Sequence, residues 1–349
     1  MGIKSLKEIF EPLNKAAVAF LVKGSPDPDS IASSLALLQY YQSIGGEGAI
    51  YHEDYVSHSS NKTMINILDI KLQEKKLSEI EEAFYVVCDH TSSIIEKIKS
   101  KCILHVDHHK EHKDLEGNLA QDDCVHIVEY DAGSCSSIIT RLLNEIDFFD
   151  SGEGSISQIA TALMYGIRTD TDNFDSARAK DFESMKILSL YYNQDSLKKI
   201  TRSRISTQTA DVLKKALQSE KSEQNWLYAG VGFLQESYRD SIASAADEMI
   251  RRTGVDHVLV YAVIEKSGEA VVEGSVRSVD PGFDLEGFVK HFSNNAGARK
   301  YKGGFQIPLG FWSSCPNQEM LEEFVRNTIE SKLKTILGTN TKKKGKKEE

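Results

Sequence analysis

Between residue 16 and about residue 190 the chain repeats one pattern, a short apolar run followed by a stretch with helical spacing. The runs are AAVAFLV from Ala16, GAIYHE from Gly48, FYVVCDH from Phe84, ILHVDHH from Ile103 and HIVEY from His126, with helices expected at 31–43, 60–68, 93–99 and 135–147. Runs this short and this apolar read as strands buried on both sides, and alternation with helices makes them a mostly parallel, doubly wound α/β sheet with helices on both faces. In such a sheet the loops leaving the strand C-termini converge on a crevice beside helix N-termini, where ligands bind.

Those loops are rich in carboxylates and imidazoles. After the first run comes KGSPDPDS, Lys23 to Ser30, in which Pro26 and Pro28 fix φ and hold Asp27 and Asp29 in an extended turn. A plain alternative exists at this point, because Asp29 or Ser30 can simply cap the helix from Ile31. FYVVCD ends at Asp89, ILHVDHH ends at Asp107-His108-His109, and the strand-like run ALMYGIRTDTDNF carries Asp170 and Asp172. Capping explains one such turn more easily than four. Converging carboxylates repel unless a cation neutralises them, and aspartates with one or two histidines and no cysteine suit Mn²⁺ or Mg²⁺ ahead of Zn²⁺.

In this order PDPDS, the lone Asp89, VDHH, GSCSS and GIRTDTDNF resemble the motifs of the DHH phosphoesterase family, and VEGSVRS and GARKYKGGFQIPLG resemble the DHH-associated domain of its nanoRNase and pAp-phosphatase branch. The resemblance implies an active site in the cleft between two domains. It makes Asp29, Asp89, His108 and Asp170 ligands of one metal, with Asp89 bridging to a second held also by Asp27. It gives His109, beside Asp107, the scissile phosphate, and Gly133 and Ser134 an anion-holding turn. Ser275, Arg277, Arg299, Lys300, Gly303 and Gly304 would hold the substrate's far end, with Arg277 also sharing developing charge; Asp172 would orient ligands.

Two positions depart from the family pattern. Lys23 stands where a metal-binding histidine is usual, which leaves open whether one ion or two are bound, and Arg299 replaces a histidine in GARK while keeping affinity for phosphate. His58 and Asn61 reach the substrate on one reading and serve as turn and cap groups on the other. Tyr301 and Phe305 are either base-stacking or core. The run KKITRSR, Lys198 to Arg204, either guides nucleic acid or covers a solvated helix.

The length of 349 residues suits two domains: 1–190 with the metal site, a helical linker at 191–224, a second α/β domain at 225–337, and a charged disordered tail at 338–349. Five cysteines without a CxxC pair argue against zinc and against disulfides. A net charge of −10 disfavours duplex DNA, and no apolar run approaches the roughly 20 residues of a membrane span. The start, MGIKSLKEIFEPL, lacks the basic-then-apolar order of an export signal, so a cytoplasmic protein is expected; a homodimer is expected from the resemblance alone.

The activity expected is metal-dependent hydrolysis of short oligoribonucleotides or small nucleotides such as pAp. The alternatives are a pyrophosphatase or polyphosphatase, a cyclic-dinucleotide phosphodiesterase, and a catalytically weak nucleotide-binding sensor.

Overall fold

The computed structural model describes residues 5–22, 24, 26–54, 56, 59–93, 95, 98–109, 124–152, 155–202, 206–266, 268–298 and 301–344. Lys23, His58, Arg299 and Lys300, all singled out above, lie outside them. Two compact units divide the chain, Met1–Ser203 and Arg204–Glu349.

The first unit runs α1 (Leu6–Phe10), β1 (Val18–Val22), α2 (Pro28–Ser43), β2 (Gly48–His52), α3 (Ser59–Ile67), β3 (Leu72–Glu74), β4 (Phe84–Cys88), β5 (Lys101–Asp107), β6 (Val125–Val128), α4 (Cys135–Asn144), α5 (Ile156–Asp170), α6 (Ala179–Leu188) and α7 (Gln194–Thr201). All the strand pairings are parallel, in the order β3-β2-β1-β4-β5-β6. The order reverses between β1 and β4, and at such a switch point the two loops diverge and leave a crevice.

The strands' alternating side chains divide the core. Val18, Phe20 and Val22 of β1 and Val86 and Cys88 of β4 pack against α2, α4 and α5. Ala19, Leu21, Tyr85 and Val87 point the other way, and Leu77, Ile80 and Ile95 from the connections cover them. The second face therefore carries connections where helices were expected: in 93–99, no helix is assigned to the described residues, and Ile94, Glu96 and Lys97 lie outside them. Right-handed crossovers account for the division, since links that move the chain toward β4 and β5 must cross the face opposite α2.

The second unit comprises α8 (Thr207–Ser219), β7 (Lys221–Glu223), β8 (Trp226–Gln235), α9 (Arg239–Thr253), β9 (His257–Lys266), β10 (Glu269–Ser278), α10 (Leu285–Lys290), β11 (Ala296–Ala298), β12 (Lys302–Pro308) and α11 (Gln318–Lys344). Its sheet, ordered β11-β12-β10-β9-β8-β7, is mixed, with one parallel pair, β8 and β9. Leu259, Tyr261 and Val263 face a core shared with α10 and α11, and Val258, Val260, Ala262 and Ile264 face one shared with α8 and α9.

The stretch read as a linker is split between the units. Ile200 of α7 is buried in the first core, and Val212, Leu213 and Ala216 of α8 in the second. Helix α11 continues to Lys344, into the lysine-rich end read as a tail. Among the described residues no helix is long and apolar enough to cross a membrane.

Candidate metal centre

The turn after β1 and the start of α2 give Asp27 and Asp29 different roles. Asp27 is the N-cap: its Oδ1 accepts hydrogen bonds from the Ser30 amide and from Ser30 Oγ, each at 2.8 Å. The capping reading thus holds for Asp27, rather than for Asp29 or Ser30. Asp29, in the first turn and buried, reaches across to α4, where Oδ2 accepts from the Cys135 amide and Oδ1 from the Ser136 amide, both at 2.7 Å. A helix N-terminus presents unpaired N–H groups and partial positive charge, so it holds this carboxylate firmly.

Asp89 follows β4 at φ +56°, a left-handed conformation that its short polar side chain tolerates, and its amide donates to Val106 O at 2.9 Å. Asp107 ends β5 fully buried, with Oδ1 accepting from the His108 amide at 2.8 Å and lying 2.7 Å from His109 Nδ1. Asp170 is the last residue of α5. The run before it is a buried helix where a strand-like segment was expected: α5 is apolar nearly all round, and a run of that kind has no periodicity to separate it from a strand.

These elements deliver a convergent donor set. His108 Nε2 lies 3.0 Å from Asp170 Oδ2 and 3.3 Å from Asp89 Oδ1, and ligand atoms of Asp29, His108 and Asp170 lie within 4.8 Å of one another, as do those of Asp89, Asp107, His108 and His109. Asp89 Oδ1 and His108 Nε2 are buried and neither makes a hydrogen bond. Buried polar atoms gathered this closely could hold a cation.

The electrostatics agree. Burial first, then Asp89 and Asp170, push the Asp29 carboxyl well above the ordinary range. Burial, followed by Asp27, raises Asp89 to about 7. Burial alone would lower His108, but Asp170 and Asp89 hold it up, at about 11. A divalent cation among them would reverse these trends. Three carboxylates and an imidazole suit Mn²⁺ or Mg²⁺. Cys135 lies beside Asp29 and Asp89, yet burial pushes its thiol well up and Sγ donates to Val106 O, so it remains a neutral thiol outside the ligand set.

Other expected residues fall elsewhere. The Gly133–Ser134 turn keeps its donors inside the protein: the Gly133 amide donates to both oxygens of buried Asp181 at 3.0 Å, and Ser134 Oγ accepts from the Ser137 amide. The Gly133 amide is therefore engaged by a protein carboxylate. Asn61 Nδ2 donates to Pro26 O at 2.8 Å and so anchors the Asp27–Asp29 turn.

In the second unit the Arg277 guanidinium is buried and grips Asp247, with Nε donating to Oδ1 at 2.6 Å and Nη2 to Oδ2 at 3.3 Å. Ser275 pairs with Gly304 across β10 and β12, next to the Val276–Gly303 pair. Phe305 is core, stacked on Phe292 with ring centres 4.5 Å apart. Asp172 lies just beyond α5 with φ +51°.

Sequence reasoning missed two residues. Asp181 also accepts from the Arg178 amide at 2.8 Å and from Ser137 Oγ, and a Cβ on Gly133 would come within 2.4 Å of it; its place three residues after a helix N-cap was a legible sign. Gly166 lets α5 approach closely, for a Cβ there would lie 2.3 Å from Ser136 Oγ and 3.2 Å from the Asp29 Cα. A glycine inside a helical run, normally disfavoured by about 1 kcal/mol, was the signal.

The chain is 28% identical over 338 residues to the uncharacterized protein MJ1633 of Methanocaldococcus jannaschii, an alignment covering 96% of this chain and 67% of that one. It is 26% identical over 318 residues to the uncharacterized protein MJ0988 of the same organism, covering 86% and 90%. Among solved structures, an exopolyphosphatase-related protein from Bacteroides fragilis shares the fold at a TM-score of 0.64 and 17% identity, with 91% of this chain and 93% of that chain covered. Residues 18–167, which hold every strand of the first sheet and all the converging residues but Asp170, match the DHH family, N-terminal domain, so over these residues the first unit is similar to that domain.

Proposed function

We propose that the protein is a metal-dependent phosphoesterase that hydrolyses short oligoribonucleotides or small nucleotides of the pAp type. The observation that carries this reading is the convergence of Asp29, His108 and Asp170, with Asp89 close to Asp29 and to His108, and with Asp89 Oδ1 and His108 Nε2 buried. These four residues would hold the ion, and Asp27 with Asp89 would hold a second where one binds. A divalent ion so bound supplies Lewis acidity toward a water and toward the phosphoryl oxygens.

The chain's own residues supply orientation. Asp107 holds His109 at Nδ1, which makes Nε2 the nitrogen that would meet the scissile phosphate and donate a proton there when the ring is charged. His109 pulls the Asp107 carboxyl below its ordinary range in spite of burial, so Asp107 is ionised at neutral pH and fixes the ring. The α4 N-terminus fixes Asp29, and Asn61 fixes the turn before it. Arg277, committed to Asp247, would reach a substrate only through an exchange of partners.

A second reading is hydrolysis of phosphoanhydrides, favoured by the fold shared with the exopolyphosphatase-related protein. One experiment separates the readings: release of product from a labelled RNA dinucleotide, pAp, cyclic di-AMP, pyrophosphate and polyphosphate, each with Mn²⁺, with Mg²⁺ and with chelator. Metal-dependent release of mononucleotide from RNA, or of phosphate from pAp, is expected. Turnover of the anhydrides alone would establish the second reading, and bound Mn²⁺ with no turnover of any would leave a nucleotide-binding sensor.

A further inference from the structure

Two thiols meet at the other end of β5 from Asp107. Cys102, near the start of β5, and Cys124, just before β6, hold their Sγ atoms 2.9 Å apart. Both residues are 9% exposed, and the five cysteines of the chain are free thiols. A disulfide bond is about 2.0 Å long, so the two sulfurs need to move together by only about 1 Å to form one.

A bulge brings them to the same face. Tyr85 of β4 lies opposite Cys102 and the next residue, Val86, lies opposite Leu104, so β5 carries one extra residue at Ile103. Ile103 and Leu104 both face the core shared with α2, and Cys102 turns to the opposite face, where Cys124 also points. Strict alternation back from Leu104 and Val106 would aim Cys102 away from Cys124; re-aiming a side chain in this way is a recurrent use of bulges. The pairing of Leu104 with Val125 sets Cys124 beside Ile103. With strands about 4.8 Å apart, the Cα atoms of the two cysteines are then roughly 5–6 Å apart, a span that disulfides commonly bridge.

We propose that Cys102 and Cys124 form an oxidation site that closes to a reversible disulfide when a peroxide reaches it. The Cys124 thiol donates to Cys102 Sγ, which favours the thiolate at Cys102 and makes it the first to attack. Its sulfur bonds to one peroxide oxygen as the O–O bond breaks, and the departing hydroxide leaves as water with the Cys102 proton, giving a sulfenic acid. The Cys124 sulfur then attacks the Cys102 sulfur: the S–S bond forms, the S–O bond breaks, and a second water leaves with the Cys124 proton. The two thiols lose two electrons and the peroxide gains them. Cys102 and burial push the Cys124 thiol up while His126 beside it pulls it down, so His126 favours the thiolate that the second step uses. The bridge would close the segment 102–124, which carries Asp107, His108 and His109, and so restrict the unfolded chain.

Peptide mapping of the full chain, treated with hydrogen peroxide and then alkylated in denaturant, tests this. A linked pair of peptides holding Cys102 and Cys124, lighter by two hydrogens and separated again by dithiothreitol, is expected. The first unit's melting temperature should rise with it by roughly 5–10 °C. Cys102→Ser and Cys124→Ala should each remove both the link and the rise, whereas Cys315→Ser should leave both in place. Two free thiols after peroxide, an unlinked sulfinic acid, or a bridge made instead by Cys88, Cys135 or Cys315 would overturn the site.

Discussion

At the residue scale the site is built by carboxylates that hold helix termini as well as by carboxylates that face the metal position. Asp29 does both, and Asn in its place keeps the size but offers a single acceptor to two amides. Asp29→Asn is expected to weaken Mn²⁺ binding at least about a hundredfold, because a ligand's charge is lost together with its orientation. Titration calorimetry with Mn²⁺ alone reads this without reference to any substrate, and unchanged affinity would remove Asp29 from the ligand set. Asp181 lies behind the same turn and touches no converging ligand, so Asp181→Asn should cost roughly 1–3 kcal/mol of stability through its buried amide and hydroxyl partners and weaken Mn²⁺ about tenfold. Ser184→Ala, which removes the bonds from Ser184 Oγ to Ser137 O on α4 and to Lys180 O in its own helix, should lower the melting temperature and leave Mn²⁺ affinity unchanged. The residues that converge were legible from the sequence because carboxylates and histidines following apolar runs are conspicuous. Asp181 was hidden because a buried acid in the first turn of a helix looks like any other N-terminal acid.

At the scale of elements, the strands and their order of burial were legible and the packing between helices was not. Each strand of the first sheet is an uninterrupted apolar run, whereas α5 is also apolar on nearly every side and gave the same signal from a different structure. What distinguishes α5 is Gly166, whose missing side chain admits Ser136 and the backbone of Asp29. Gly166→Ala improves helix propensity by about 1 kcal/mol but forces a Cβ into Ser136 Oγ, and overpacking costs typically 1–3 kcal/mol. We expect a net loss of stability, measured by thermal melting, with Ser136→Ala restoring part of it because the colliding oxygen is then gone. Full additivity of the two substitutions would show that the contact is relieved by backbone movement instead.

At the scale of the molecule, the two compact units should melt under different controls. All the converging ligands lie in Met1–Ser203, so Mn²⁺ should raise the first unit's transition in scanning calorimetry, by mass action on the folded state. The second unit holds His257, buried between Trp226 and Phe283, with its pKa lowered chiefly by burial against the opposing pull of Asp256 and Asp280. The folded form binds this proton less readily than the unfolded chain, so its contribution to stability is complete above the ordinary histidine value and declines as pH falls below about 6.5. Lowering the pH from about 7.5 to 5.5 should thus lower the second unit's transition, and His257→Phe should blunt that dependence. A transition equally sensitive to acid in the variant would place the titrating group elsewhere.

The position of Asp170 and Asp181 in the chain also sets an order of events during synthesis. Among the described residues, those that converge on the candidate metal position, and the groups shown to hold them in place, precede residue 190. A nascent chain emerging from the N-terminal end therefore completes the centre while the second unit is still being made, since domains generally fold as units in that order. The ion can be acquired by a half-finished protein, before the part of the chain read as gripping the substrate exists.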